Sequence, residues 1–257
     1  MSAPLSVAII TRNEEDRLPA CLESAGFADE IVMVDSGSRD RSVEIANKFG
    51  CRVRVQPWLG FARQKQLAVD CCRNNWVLIL DADERVPADT ATCIQQLDLH
   101  VDTPAAAYSF NRRNFFDGRW MRRCGWWPDR VTRLVDRRRG RFSNRLVHEQ
   151  WLADGRVEAL SASLEHHSFR SYADLMVKLQ LYSTLSAQEM LTAGDAVHWW
   201  SAPGHGLWMF IKTYLLQRGA LEGFDGFMIA VLNAGGSFMK YAKLYELLRY
   251  GRGDNGR

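Results

Sequence analysis

The sequence lacks the two glycine-rich loops with which common nucleotide-binding folds hold phosphate groups. A dinucleotide-binding domain carries Gly-x-Gly-x-x-Gly after its first strand, but the segment after the first apolar run here, Thr11-Arg12-Asn13-Glu14, contains no glycine. The P-loop pattern Gly-x-x-x-x-Gly-Lys-Ser/Thr is also absent, which argues against an ATPase. If the protein binds a nucleotide, we expect a metal cation to neutralise its phosphates.

Other features that the sequence lacks indicate the cellular compartment of the protein. The N-terminus has no basic region followed by a long apolar segment, so no secretory signal is predicted. No window of about 18 uninterrupted apolar residues occurs, so no membrane-spanning helix is predicted. The six cysteines form no Cys-x-x-Cys pair, which favours packing roles in a reducing compartment over a metal cluster. We therefore expect a cytoplasmic protein. Its net charge of +3 is too small to indicate a nucleic-acid partner.

Strand and helix patterns alternate through residues 1–100. Short apolar runs typical of buried strands are predicted at Leu5–Ile10, Glu30–Asp35, Cys51–Gln56 and from Trp76. Helical patterns lie between them, at Arg17–Ser24, Arg41–Phe49 and Phe61–Cys72. This alternation predicts right-handed βαβ units, and hence an α/β fold with a mostly parallel sheet flanked by helices.

Polar clusters follow three of these strands, at Thr11–Glu14, Asp35–Ser38 and Asp81–Glu84. Open α/β sheets bind ligands beyond the carboxyl ends of their strands, so we expect the three clusters to form one site. Asp81 and Asp83 are one residue apart, a spacing that suits a divalent cation whose other ligands come from a substrate diphosphate. The alternative is that these acids cap the following helix.

These motifs resemble those of the inverting family 2 glycosyltransferases, which have the GT-A fold. In this order and spacing, the motifs are Thr11-Arg12-Asn13-Glu14-Glu15, Val34-Asp35-Ser36-Gly37-Ser38-Arg39-Asp40 and Leu80-Asp81-Ala82-Asp83-Glu84. Later segments resemble a narrower branch, the bacterial lipopolysaccharide core glucosyltransferases of WaaE type. Those segments are Gly125-Trp126-Trp127-Pro128-Asp129, Arg133-Leu134-Val135 and Val147-His148-Glu149.

The resemblance implies a set of residues that binds the nucleoside of a UDP-sugar. That set is Thr11, Asn13, Glu14, Asp35 and Ser36. Asp35 is expected to accept a hydrogen bond from the uracil ring. For Glu14, a helix-capping role is the alternative.

The resemblance also implies a metal site for Mg²⁺ or Mn²⁺, which would stabilise the charge that develops on the departing diphosphate. Asp83 is expected to bind the metal directly, and Asp81 to contact the ribose or the metal shell. His166 follows a strand predicted at Leu160–Glu165 and is a further candidate ligand, since related enzymes use a late histidine. A structural role for this histidine is the alternative.

Inversion at the anomeric carbon requires a base that removes the proton of the acceptor hydroxyl. The resemblance places Glu149 in that role, with Asp129 as the rival. The alternative for Glu149 is an ion pair with a nearby arginine. That part of the chain, Arg112 to Arg145, is rich in arginines and aromatic residues, a mixture suited to phosphates and sugars. Within it, Arg130 and Arg133 are the best candidates to bind the diphosphate.

We expect a glycosyltransferase domain at residues 1–170, with a nucleotide-binding half (1–100) and an acceptor half (101–170). A helical extension follows at 171–257, where aromatic and basic residues border short apolar runs, as in helices that lie in a membrane interface. Ordinary core packing or an oligomer contact explains the same pattern.

The sequence as a whole predicts a metal-dependent, inverting transfer of a sugar, with glucose the first choice, from a UDP-sugar to a heptose of the lipopolysaccharide inner core. We expect the enzyme to be peripheral to the inner face of the bacterial inner membrane, on an anionic lipid surface. Transfer to polyprenyl phosphate is one alternative, and a catalytically silent membrane-associated binding protein is another.

Overall fold

The structure is a computed structural model that describes residues 3–99, 104–143 and 149–251. The chain divides into two compact units. The first consists of Met1–Asn114 and Pro128–Ser168, and the second of Phe115–Trp127 and Phe169–Arg257.

Eleven strands are present in the described part of the chain. They are β1 (Leu5–Thr11), β2 (Glu30–Asp35), β3 (Arg52–Val55), β4 (Trp76–Asp81), β5 (Glu84–Arg85), β6 (Ala105–Phe116), β7 (Arg119–Trp120), β8 (Arg130–Asp136), β9 (Gly140–Phe142), β10 (Trp151–Ala153) and β11 (Arg156–Phe169). The helices of the first unit are α1 (Leu18–Ser24), α2 (Ser42–Lys48), α3 (Phe61–Cys71) and α4 (Ala88–Gln95).

Most strands form one sheet, in the order β3-β2-β1-β4-β8-β6-β11-β5, with β7 paired to β6. Strands β1 to β4 pair in parallel, as expected for βαβ units, whereas β8 pairs antiparallel with both β4 and β6. The predicted α/β class is confirmed, and the sheet is mixed. Its first half is parallel because helices connect those strands, and its second half contains antiparallel pairs.

Both faces of the parallel half are buried. On β1, Val7 and Ile9 belong to one apolar cluster, while the intervening Ala8 belongs to another on the opposite face. On β4, Leu78 and Leu80 join the first cluster, and Ile79 between them joins the second. A strand buried on both sides must be apolar throughout, which is why these segments read as continuous apolar runs.

The second unit is mainly helical. Its helices are α5 (Tyr172–Ala193), α6 (Ser201–Ile211), a π-helical turn (Lys212–Leu216), a 3₁₀ turn (Gly219–Glu222) and α7 (Gly223–Tyr250). Gly194 ends α5 in the left-handed region (φ 78°), a conformation that favours glycine. Its core includes Met121, Cys124, Leu175 and Ile229. None of the described helices is long and apolar enough to span a membrane.

Candidate active site

The polar ends of three strands meet at one edge of the sheet. In the β1–β2 pairing Thr11 lies opposite Asp35, and in the β1–β4 pairing Ile10 lies opposite Asp81. The polar clusters therefore follow neighbouring strands at the same level. This is the edge where open α/β sheets bind their ligands.

The loops after β1 and β2 are tied together by side-chain hydrogen bonds. Asp35 is buried, and its carboxylate accepts from the backbone N–H groups of Gly37 and Ser38, both at 2.8 Å, and from the Ser38 hydroxyl. The Ser38 hydroxyl oxygen accepts from the N–H of Asn13, and the Asn13 side-chain oxygen accepts from the N–H of Arg39, both at 2.8 Å. Asn13 has φ 55°, in the left-handed region that asparagine tolerates better than most residues. Asp35 and Asn13 thus shape the loops in which they lie.

The other predicted nucleoside-binding residues differ in what they contact. Ser36 is buried and accepts from the Gln64 side chain at 3.1 Å. Glu14 forms an ion pair with Arg17 at 3.2 Å. The hydroxyl oxygen of Thr11 is buried and has no hydrogen-bond partner within the described residues. A buried hydroxyl without a partner is costly, so Thr11 is the residue of this set best suited to bind a polar ligand atom.

A network of buried charges surrounds Asp81. The ammonium of Lys65 lies 2.8 Å from a carboxylate oxygen of Asp81 and 2.8 Å from one of Glu149. On the other side, the Arg133 guanidinium lies 2.8 Å from Asp81 and 2.7 Å from the fully buried Glu84. Glu84 also accepts from the backbone N–H of Asp81 at 3.1 Å, so it orients this loop.

These contacts shift the pKa values of the charged groups. Burial by itself would raise the pKa of Asp81, but Lys65 and Arg133 hold it well below its usual value. Burial would likewise lower the pKa of Lys65, but the charges of Asp81 and Glu149 outweigh burial and raise it. For Arg133, Glu84 and Asp81 together raise the pKa against the effect of burial. All three groups therefore remain charged at neutral pH.

A β-bulge aims Arg133 at this network. Between β6 and β8, Thr132 pairs with Ser109 and Leu134 pairs with Tyr108, so the pairing skips Arg133. An extra residue of this kind re-aims its side chain and bends its strand, and bulges often lie next to active sites.

A second chain of contacts leads from Asp129 to Asp83. Asp129 accepts from Arg112 and from the amide nitrogen of Asn114, both at 2.9 Å. The Asn114 side-chain oxygen lies 2.6 Å from Nδ1 of His166, and Nε2 of His166 lies 3.5 Å from the carboxylate of Asp83. Arg112 links the two networks, because it also contacts Glu84 at 3.2 Å.

The predicted diphosphate-binding arginines have different surroundings. Arg133 lies in the buried network, whereas Arg130 is exposed and donates to the carbonyl oxygens of Ser109 (3.2 Å) and Leu160 (3.3 Å). His148, the neighbour of Glu149 in its motif, lies outside the described residues.

Asp83 and His166 are better placed than Asp81 to hold a divalent cation. Asp81 contacts the cationic side chains of Lys65 and Arg133, and the carboxylate of Asp83 lies 3.5 Å from Nε2 of His166. In the described residues no group of three or more His, Cys, Asp or Glu side chains is arranged to hold a metal. The protein would thus supply Asp83 and His166, and a bound diphosphate would supply further oxygen ligands, as is usual for Mg²⁺.

Lys65, Arg112 and Asn114 also belong to these networks, although the strand-end motifs do not predict a role for them. For Lys65 a signal was available, because it lies on the apolar face of α3 with Ala62 and Val69, at spacings of three and four residues, and is as buried as they are. A lysine on a buried helix face needs a partner, and carboxylates were already expected nearby. For Arg112 and Asn114 no comparable periodic signal exists.

The chain is similar in sequence and in fold to several known proteins. The family model for glycosyl transferase family 2 matches residues 6–153. An uncharacterized glycosyltransferase of Rickettsia typhi is 30% identical over 254 residues, which cover 95% of this chain and 87% of that protein. The lipopolysaccharide core biosynthesis glycosyltransferase LpsC of Rhizobium meliloti is 30% identical over 255 residues, which cover 95% of this chain and 92% of LpsC. The crystal structure of S. aureus TarS 1-349 in complex with UDP-GlcNAc aligns with a TM-score of 0.46 at 14% identity, covering 98% of this chain and 93% of that one.

Proposed function

This chain belongs to glycosyl transferase family 2, and we propose that it is an inverting, metal-dependent enzyme that transfers a sugar from a UDP-sugar to a heptose of the lipopolysaccharide inner core. Glucose is our first choice of sugar. Family membership confirms the resemblance drawn from the strand-end motifs, and the chain is a glycosyltransferase. The metal, the donor sugar and the acceptor are the proposed parts.

The observation that supports this proposal most directly is that Lys65 contacts two carboxylates. Lys65 contacts both Asp81, the first aspartate of the Asp81-Ala82-Asp83 motif, and Glu149, the proposed base. The two carboxylates are far apart in the sequence, yet one buried ammonium contacts both. A base beside the donor site is what direct displacement by an acceptor hydroxyl requires.

We assign the following roles to the residues of the candidate active site. Thr11 and the Asp35 loop bind the nucleoside, and Asp83 and His166 hold the divalent cation. When bound, the cation acts as a Lewis acid that stabilises the leaving diphosphate. Glu149 removes the proton of the acceptor hydroxyl, and Arg133 adds positive charge near the diphosphate.

The acceptor rests on similarity to LpsC, whose name places it in lipopolysaccharide core biosynthesis. Because such an acceptor is anchored in a membrane, we propose that the enzyme works as a peripheral protein on the inner face of the bacterial inner membrane.

A donor screen tests this function. Purified enzyme is incubated with truncated lipopolysaccharide, Mn²⁺ and a panel of UDP-sugars, and product is measured for wild type, Asp83→Ala and Glu149→Gln. We expect Glu149→Gln to lower kcat by about 10²–10⁴-fold, the range for loss of a general base. Glu158→Gln is the matched control, because Glu158 lies on the same unit and pairs with Arg156.

Other outcomes identify the alternatives. If polyprenyl phosphate is the acceptor, its oxygen is already ionised, so Glu149→Gln should retain nearly full activity. Sugar transfer by Asp83→Ala at the wild-type rate would show the metal assignment to be wrong. UDP-sugar turnover that stays at background with Mn²⁺ present would indicate a silent binding protein.

A further inference from the structure

We propose that Asn114 and Asp129 are positioning residues that fix the ring of His166 with the Nε2 lone pair facing Asp83, and so prepare a site for a divalent cation. This inference rests on the proposed metal-dependent function and deepens it. It also gives Asp129 a role other than that of the base.

The direction of the hydrogen bonds follows from the chemistry of the groups. An ionised carboxylate only accepts, so the Asn114 group that faces Asp129 at 2.9 Å must be its NH₂. The Asn114 carbonyl oxygen therefore faces His166, and at 2.6 Å it must accept from Nδ1–H. A neutral imidazole with its proton on Nδ1 has a lone pair on Nε2.

In this tautomer, the lone pair of Nε2 lies 3.5 Å from an oxygen of Asp83, which is also an acceptor. Two acceptors that face each other at this distance gain nothing from direct contact, but both can bind a cation between them. Histidine ligands of metals commonly donate their other N–H to a carbonyl or carboxylate oxygen, which fixes the ring and the tautomer. Asn114 supplies that oxygen here.

The backbone holds the two proposed ligands in place. The N–H of His167 donates to the carbonyl oxygen of Asp83 at 2.9 Å, and His166 pairs with Glu84 across β11 and β5. The Asp83 and His166 side chains are therefore tied through their main chains as well.

Asp129 is fixed from a second direction. Arg112 contacts its carboxylate with two nitrogens, at 2.8 and 2.9 Å, and the N–H of Arg112 donates to the Asp129 carbonyl oxygen at 2.7 Å. A carboxylate held in this way keeps one orientation, and it can therefore fix the orientation of the neighbouring Asn114 amide.

Asn114→Leu tests the inference with two measurements that do not use activity. In the metal-free protein, ¹⁵N NMR of His166 should show the proton on Nδ1 in wild type and a mixture of tautomers in the variant. Electron paramagnetic resonance of added Mn²⁺ should show binding weakened by about 10–100-fold, the range found when such a partner is lost. Asn111→Leu, the same substitution on the same strand, should bind Mn²⁺ as wild type does.

Asp129→Asn provides a second route if Asn114→Leu does not fold. We expect about tenfold weaker Mn²⁺ binding, because an amide at 129 no longer dictates which way Asn114 points. Lower kcat with unchanged Mn²⁺ affinity would instead make Asp129 the base and overturn the inference. A proton on Nε2 in the wild-type protein would also overturn it. Wild type that binds no Mn²⁺ would contradict the metal-dependent function, and the tautomer measurement would still test the positioning on its own.

Discussion

Lys65 shows how one buried side chain organises this site. Its ammonium lies between Asp81 and Glu149, and 5% of its side chain is exposed. A charge buried to this degree is stable only with partners, so Lys65 and its two carboxylates depend on one another.

Asp81 should therefore stabilise the folded protein in a pH-dependent way. Its pKa is lowered in the folded state, so its contribution is complete above the unfolded value of about 4 and is lost as the pH falls through the folded value. We expect Asp81→Asn to lower the free energy of unfolding by about 2 kcal/mol at pH 7, since charged hydrogen bonds to Lys65 and Arg133 are lost. Urea unfolding of both proteins should show this difference shrinking below about pH 4.

Asp70→Asn serves as the control for that series. Asp70 is exposed on α3 and accepts from Gln66, so its substitution should change stability by less than about 0.5 kcal/mol. A destabilisation by Asp81→Asn that is the same at pH 7 and pH 3 would contradict the ion-pair explanation.

At the residue level, the sequence predicts which residues lie together at the ends of neighbouring strands. It predicts less well which side chains contact each other elsewhere in the fold. Thr11, Asp35 and Asp81 could be placed together because neighbouring parallel strands bring their carboxyl ends to the same edge. Asn114 and His166 could not be paired in advance, because they are 52 residues apart and their contact depends on the path of two long strands.

At the level of elements, regular periodicity predicted the first unit's parallel half closely. The strand predicted at Glu30–Asp35 has those bounds as β2, and the helix predicted at Phe61–Cys72 is α3, Phe61–Cys71. The strand near His166 was harder to delimit. The alternation of apolar and polar residues predicts it only at Leu160–Glu165, yet β11 runs from Arg156 to Phe169, because its ends lack this alternation.

Two glycines of α7 give a contrasting pair of predictions for that helix. A Cβ on Gly226 would clash with the carbonyl oxygen of Gly219 and would lie 2.9 Å from the Glu222 side chain, so the backbone would have to move. We expect Gly226→Ala to destabilise the protein by about 1–3 kcal/mol, the usual cost of overpacking. A lower Tm in thermal unfolding would show it.

Gly235→Ala is the matched control in the same helix. The nearest atom to its added Cβ, on Leu179, would lie at 3.9 Å, an ordinary contact. Alanine is favoured over glycine inside a helix by about 0.5–1 kcal/mol, so this variant should raise Tm. Equal effects of the two substitutions would contradict the close packing of Gly226.

On the scale of the whole molecule, the second unit exposes an unusual amount of apolar surface. We define the aromatic face as the exposed side chains Trp199, Trp200, Leu207, Trp208, Leu215 and Leu216. Leu207 and Trp208 lie on α6, and Leu215 and Leu216 lie on the π-helical turn that follows it. Large exposed apolar patches mark interaction sites.

The charges near this face favour an anionic lipid surface as its partner. From 196 to 221 the sequence contains Lys212 and Arg218 but no Asp or Glu. The next acids, Glu222 and Asp225, both pair with Arg119. Tryptophan at headgroup depth with nearby basic residues is typical of helices that lie in a membrane interface.

The last prediction tests this face with the full chain and vesicles. Wild type should co-sediment with vesicles of phosphatidylcholine and phosphatidylglycerol more strongly than with phosphatidylcholine alone, because the nearby charges are basic. Leu207→Gln combined with Trp208→Gln should weaken binding more than tenfold, since burial of each such side chain contributes about 1.5–3 kcal/mol. Met176→Gln combined with Val177→Gln, on the exposed surface of α5, is the control and should bind as wild type does. Unchanged binding of the first variant would contradict the proposal. A wild-type dimer in ultracentrifugation that this variant dissociates would instead identify the aromatic face as a contact between two copies of the chain.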